Sequence, residues 1–470
     1  MPGLPNRVAR RSKSHPAATA FLVVFALALA VALIQGAKPF YWDSGEYWRL
    51  SHAFTAPGHL VLPDFEDDGL RGYALPLVLF LWREVLGLFT DNAAFMVMLL
   101  YSLLFAAIGA LLAPRFARIA WPERTWGATR RVLLGALLVL FWGGFLNYPL
   151  SDFPALAAAL AALILVTRPQ SRLAMLASGL TAGLALVARP AYLLLVPCLV
   201  GLAVWDWWEH RGEGEGGGEN PRRRALGLAL LLLGVVVALI PQGLIHHHES
   251  GNLNPLPGGS SLASTQLTQG LKLQRLDGWV GDDRGTSLEY RDPSTAGIVR
   301  DLPGGKVTGS GEYAEIALQH PLTIAGVFLR HLVNGLDQRY TTPYVEHLDP
   351  PATRRLLRVA GFAIVFLALL RVLWPAARRR LGPARWRYPV ALLLITVTSL
   401  AGAMETRFLL PIYLLAALLA LVPGWPNPIG SREAGLRRYR TLALIAAGAI
   451  VYFAIVWAIA GSASDHVYFA

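Results

Sequence analysis

Apolar residues run along this chain in long blocks separated by short, arginine-bearing stretches. The first block, Ala20 to Gly36, is uncharged and nearly the length that crosses a bilayer as a helix. Blocks of the same kind recur at 93–113, 132–146, 153–166, 173–187, 191–205, 225–245, 356–373, 389–403, 408–422 and 442–460. Together they predict an all-α polytopic membrane protein with about eleven transmembrane helices. One further apolar run, Tyr73–Phe89, is short and interrupted by Arg83 and Glu84, which predicts a helix lying along the outer surface.

Loop charge orients the bundle. Arg7, Arg10, Arg11 and Lys13 precede the first block, and Arg115, Arg118, Arg124, Arg130 and Arg131 follow the second. Further arginines gather at 168–172, 222–224, 378–380 and 437–440. Clusters of this kind mark cytoplasmic loops, so the N-terminus is expected inside and the C-terminus outside. The basic start followed by an apolar helix resembles a signal peptide, but the many later blocks favour a retained signal anchor. The expected location is the inner (plasma) membrane.

Three regions follow from this pattern. Residues 1–245 form an N-terminal transmembrane core whose first outer loop is 37–92. Residues 246–355 form an extracytoplasmic insert, polar and rich in glycine. Residues 356–470 supply C-terminal transmembrane helices. Within the insert, 312–336 is loosely amphipathic and predicts an interfacial helix resting on the membrane or capping a cleft. The glycine–glutamate run 213–219 lacks the Gly-Lys-Ser/Thr ending of a phosphate loop and reads as a flexible linker.

Composition sharpens the class. Only 15% of the 470 residues are charged and 54% are hydrophobic, against about a quarter charged in soluble proteins. The formal net charge of +12 sits in inter-helical loops, which argues against nucleic acid as a partner. The single cysteine, Cys198, excludes an internal disulfide and a cysteine-based metal site.

The candidate chemistry lies on the outer face. Tyr41-Trp42-Asp43-Ser44-Gly45-Glu46-Tyr47-Trp48 follows the first span and places two carboxylates three residues apart at a membrane–water boundary. Asp152, Arg189, Glu405 and Arg407 fall on three other outer turns. Charges distant in sequence but on one membrane face are what a shared catalytic cleft requires. A carboxylate can take a proton from an attacking acceptor, and arginines can hold a lipid-linked phosphate by charge-assisted bonds. Asp43 is expected to act as base or acceptor-orienting carboxylate, with Glu46 and Asp152 supporting it. Arg189 and Arg407 are expected to bind the lipid phosphate, Glu405 to orient Arg407, and Arg71 to be a weaker phosphate ligand.

No cofactor is demanded. If the reaction uses a divalent cation, Glu46 and Asp152 are its expected ligands. The run His246-His247-His248-Glu249 invites a metal reading, but consecutive helical side chains point about 100° apart and do not converge. The acidic run 64–68 reads as a solvated loop.

Three stretches carry a family resemblance: the acidic motif 41–47, the later outer turn Asn147-Tyr148-Pro149-Leu150-Ser151-Asp152, and Glu405-Thr406-Arg407-Phe408-Leu409-Leu410-Pro411, with Arg189-Pro190 in accord. On these the chain resembles bacterial integral-membrane glycosyltransferases of the GT-C type, the superfamily of protein O-mannosyltransferases and aminoarabinose lipid A transferases. The resemblance implies a GT-C-like bundle and inverting transfer of a sugar from a polyprenyl-phosphate donor to a lipid, glycan or protein acceptor. It also implies that Asp43 stands near the reacting centre. This chain has Asp-Ser-Gly-Glu where many relatives have adjacent Asp-Glu, so the role of Glu46 does not carry over directly. Two rival readings are a lipid-linked glycan transporter or flippase and an O-antigen polymerase or ligase. A transporter would place charges at mid-membrane, where these blocks have almost none.

Overall fold

A computed structural model describes residues 15–56, 59–60, 72–209, 221–251, 253–256, 259–281, 287–348, 351–379, 381, 385–425, 435–464 and 466–469. All eleven apolar blocks are helical. Among the described residues, seven helices are long and apolar enough to cross a membrane, and eight if one bent pair is a single span. The other blocks form apolar helices of 10–17 residues: Asp152–Leu165, Arg172–Ala188, Arg387–Ala401 and Thr406–Leu421. The chain is a helical, polytopic membrane protein with little strand.

The first helix, α1 (Pro16–Gln35), shows how a span is built. Proline opens it where an amide would have no partner, and Gly36, at φ 75°, closes it in the left-handed region. Ala20, Val24, Ala28 and Ala32 are fully buried at four-residue spacing, while Leu22, Leu33 and Ile34 face outward. An apolar helix that buries one narrow stripe and exposes leucine elsewhere is suited to lipid on its outer side. Next come α2 (Trp42–Leu50), α3 (Ala74–Leu86) and α4 (Ala93–Ala120). Pro114 in α4 cannot donate to the Ala110 carbonyl, the helix widens to π geometry over Ala107–Leu112, and the buried Arg131 side chain donates to that carbonyl instead. Arg131, expected as a loop charge, is therefore a helix-repairing residue.

The bundle continues through α5 (Ala128–Trp142), α6 (Asp152–Leu165), α7 (Arg172–Ala188), α8 (Leu195–Glu209) and α9 (Pro221–Ser250). Helices α7 and α9 lie almost in backbone contact: a Cβ on Gly179 would stand 1.8 Å from the Leu231 carbonyl oxygen. Small residues let membrane helices approach this closely. Helix α9 continues to Ser250, beyond the expected boundary at 245.

The insert is more structured than its sequence suggests. After α10 (Gly259–Lys272), strands β3 (Leu273–Trp279) and β4 (Ser287–Arg291) pair antiparallel; β1 (Thr55–Ala56) and β2 (His59–Leu60) form a separate small hairpin. Strand β5 (Tyr344–Val345) adds parallel to β3, and β6 (Val467–Phe469) adds antiparallel to β4, giving the order β5-β3-β4-β6. The C-terminal strand thus joins the insert at the same end of the bundle. The expected single helix over 312–336 is two, α11 (Ser310–Gln319) and α12 (Pro321–Leu336), bent by 112°. The break is at His320, because the residue before a proline is pushed out of the helical region.

Helices α13 (Pro351–Leu373), α14 (Arg387–Leu394), α15 (Leu410–Leu421) and α16 (Gly435–Ser464) complete the bundle. One continuous apolar core runs from Ala28 on α1 to Ala460 on α16. Smaller cores form beneath the sheet, around Trp279, Tyr290 and Tyr340, and between α10 and α11.

Candidate active site

Five of the seven expected residues meet in one cluster. Asp43 stands in the first turn of α2 and Asp152 in the first turn of α6, where helix dipoles favour negative charge. Arg189 caps the C-terminus of α7, where the dipole favours a cation. Glu405 and Arg407 flank the turn that enters α15. That turn is held from outside the bundle, because the Leu276 amide of β3 donates to the Met404 carbonyl at 2.9 Å.

Arg407 is the hub. Its Nε donates to Glu405 Oε2 at 2.7 Å and its Nη2 to Glu405 Oε1 at 2.9 Å, a bidentate grip. The same Nη2 donates to Asp43 Oδ2 at 3.1 Å, and Nη1 lies 3.6 Å from Asp152 Oδ2. Asp152 also accepts from Arg189 Nη1. The Arg189 guanidinium lies 4.5 Å from the centre of the Phe408 ring. Among the described residues, three carboxylates therefore gather around two guanidiniums. Asp152 is buried, at 1% side-chain exposure, whereas Asp43 keeps 28% and is the most open of the three carboxylates. Burial pushes the Glu405 carboxyl above its ordinary range, and Arg407 opposes that shift.

Glu46 is on the same helix as Asp43 but turns to Arg49, which donates to it at 2.8 Å on the exposed surface. Arg71 and the acidic run 64–68 lie outside the described residues. His246 is structural: its Nδ1 donates to the Asn254 carbonyl, its Nε2 accepts from Gln242, and Gln242 accepts from the Tyr73 amide. Among the described residues no three His, Cys, Asp or Glu side chains converge as metal ligands. A cation shared by Asp43, Asp152 and Glu405 does not fit, because the Arg407 guanidinium occupies the space between them. Glu46, engaged with Arg49, does not join Asp152 there.

Sequence reasoning did not single out Tyr344. Its hydroxyl accepts from the Ser44 amide at 3.2 Å, and its ring meets Tyr41, Trp42 and Tyr148 edge-on. Burial, then Asp43, hold its phenol well above the ordinary tyrosine range. Trp42 takes φ 39°, a strained value for a bulky residue. It is pinned there by Tyr344 and by Gly278, where even a Cβ would come 3.1 Å from the indole. The signal for Tyr344 was its setting: Tyr340-Thr341-Thr342-Pro343-Tyr344, a cluster of rings and hydroxyls just past α12.

Behind this cluster lies a second ion network. Asp337, fully buried, accepts from Arg339 Nε at 2.6 Å and faces Arg358 Nε at 2.8 Å. Arg275 pairs with Asp277 and donates to the Asp337 carbonyl at 2.6 Å. Burial disfavours the Arg275 charge, but Asp277 and neighbouring groups more than offset this and raise its pKa above the ordinary value.

No family model and no curated protein matches the chain. Among solved structures it is similar to the archaeal oligosaccharyltransferase AglB from Archaeoglobus fulgidus, described in complex with an inhibitory peptide and a dolichol-phosphate. The two share 14% sequence identity at a TM-score of 0.40, over 94% of this chain and 56% of that one. This chain thus spans little more than half the length of that protein.

Proposed function

We propose that this protein is a membrane glycosyltransferase that moves a sugar from a polyprenyl-phosphate donor to a lipid, glycan or protein acceptor on the outer membrane face. The observation that carries this reading is the contact between Asp43 and Arg407. It joins the most open carboxylate of the cluster to the guanidinium best placed to meet a phosphate. The donor phosphate displaces Asp43 from Arg407 and takes its place, with Glu405 keeping the guanidinium oriented. Asp43, released, accepts the proton of the acceptor hydroxyl or amine. The acceptor atom bonds to the anomeric carbon, the bond from that carbon to the phosphate oxygen breaks, and its electron pair leaves with the lipid phosphate. Arg189, across Asp152, keeps the cluster from accumulating negative charge as the phosphate arrives. Lipid linkage of the donor fits a site at the end of a bundle whose outer leucines face hydrocarbon.

The test is sugar transfer from a polyprenyl-phosphate donor by purified protein in liposomes. Asp43→Asn is expected to lower turnover by about 10²–10⁴-fold, the span of a general base. Wild-type turnover in that variant removes Asp43 from the mechanism. Donor flipping without any transfer product would replace the enzyme reading with that of a transporter.

A further inference from the structure

We infer that the cavity beside Tyr344 is a binding site for a single, uncharged sugar ring, an inference that rests on the transferase reading. The cavity holds about 240 Å³ and lies between the outer ends of α1 and α5 and the segment 340–347. It is smaller than the roughly 300 Å³ at which pockets for drug-sized ligands begin, so it takes one ring rather than an oligosaccharide.

Its lining has the chemistry that polyhydroxylated rings need. Tyr148 and Tyr344 line it, their rings near-perpendicular with centroids 4.9 Å apart. Asn147, 2% exposed, donates its Nδ2 to Gln35 Oε1 at 2.8 Å, and its buried Oδ1 has no hydrogen-bond partner among the described residues. A buried carbonyl oxygen without a donor is costly, and rotation of the Asn147 amide toward the cavity it lines would let a sugar hydroxyl supply that donor. At the rim, Lys38 Nζ and Glu346 Oε2 pair at 2.8 Å, each about 30% exposed, and offer a donor and an acceptor with no net charge. That balance disfavours a phosphate or pyrophosphate and favours a neutral ring.

Position links the cavity to the candidate centre. Tyr344 is a wall of the cavity, and its hydroxyl meets the Ser44 amide, next to Asp43. A second, narrow cavity reaches Glu405 and Arg407 and shares Tyr340 and Thr342 with the first. The segment 340–344 therefore stands between the sugar site and the charged cluster.

Saturation-transfer NMR on the full chain in nanodiscs tests this, with glucose, galactose, mannose, arabinose and N-acetylglucosamine as probes and glucuronate as the charged control. At least one neutral sugar is expected to bind, and glucuronate more weakly. Asn147→Leu and Tyr148→Ala are expected to weaken binding about tenfold or more, and the rim variants Lys38→Ala and Glu346→Ala, which leave the core intact, by a smaller factor. Competition by a polyprenyl-phosphate-linked sugar identifies the site with the donor sugar, and persistence beside that donor identifies it with the acceptor; either supports the inference. Binding by none of the neutral probes, or wild-type binding in all four pocket variants, overturns it. Sugar binding without transfer would defeat the transferase reading alone, and transfer insensitive to the pocket variants would defeat this inference alone.

Discussion

Asp43 and Arg407 stand 364 positions apart in the chain and meet at 3.1 Å. One belongs to the loop after the first span, the other to the turn before α15. The contact closes the bundle across one of its ends. It also gives a guanidinium three carboxylate neighbours, an arrangement that favours arginine over any other cation.

The first consequence concerns the identity of that cation. Arginine presents a planar fork that grips Glu405 with two bonds and still reaches Asp43, whereas lysine offers a point charge. Arg407→Lys is expected to keep the fold but lower transfer about 10²-fold, as small misplacements at a reacting centre do. Arg407→Met removes the guanidinium that Asp43, Asp152 and Glu405 share, and breaking a buried pair in this way costs about 3–5 kcal/mol. Thermal unfolding in detergent separates the two effects. A lysine variant with full activity would deny the fork any part in the reaction.

The second consequence concerns how the insert docks. Asp337 joins Arg339 and Arg358, and Arg339 reaches the Ala460 carbonyl of α16 at 2.9 Å. Asp337→Asn strips the countercharge from two arginines and is expected to destabilise the protein by about 3–5 kcal/mol. Hydrogen exchange should then quicken in β3, which rests on this network through Arg275. Unchanged protection of 273–279 would mean the insert is held by its apolar contacts instead.

Much of this was legible in the sequence. Every long apolar block became a helix, because burial in lipid leaves few alternatives for the backbone. Asp43, Asp152, Arg189, Glu405 and Arg407 could be assigned to one face from the alternation of spans and loop arginines, and the structure brings them together. Glu46 did not follow, because Arg49 lies one helical turn away and captures it locally. The sheet was hidden for a different reason. Strand β3 is buried on both faces yet carries Gln274, Arg275 and Asp277, so it shows neither clean alternation nor an apolar run. Strand β6, which pairs with β4, comes from the far end of the chain, and no local pattern announces such a pairing. The break at His320 was marked by Pro321, but the apolar rhythm on both sides masked it.

The last consequence is a pH dependence with a definite sign. Burial raises the Glu405 carboxyl above its ordinary range, so the folded protein holds a proton at pH values where the unfolded chain has released it. Stability from this proton is complete below the ordinary carboxylate range and is lost as pH rises through the raised folded value. Glu405→Gln cannot titrate, so the difference in melting temperature, wild type minus variant, should fall as pH climbs through that window. The same proton bears on the proposed reaction. With Glu405 neutral, Arg407 carries more uncompensated positive charge toward an incoming phosphate, so donor binding should be tighter on the acid side of the window. The variant should show no such change. A difference curve flat in pH would mean that Glu405 stays ionised beside Arg407 throughout.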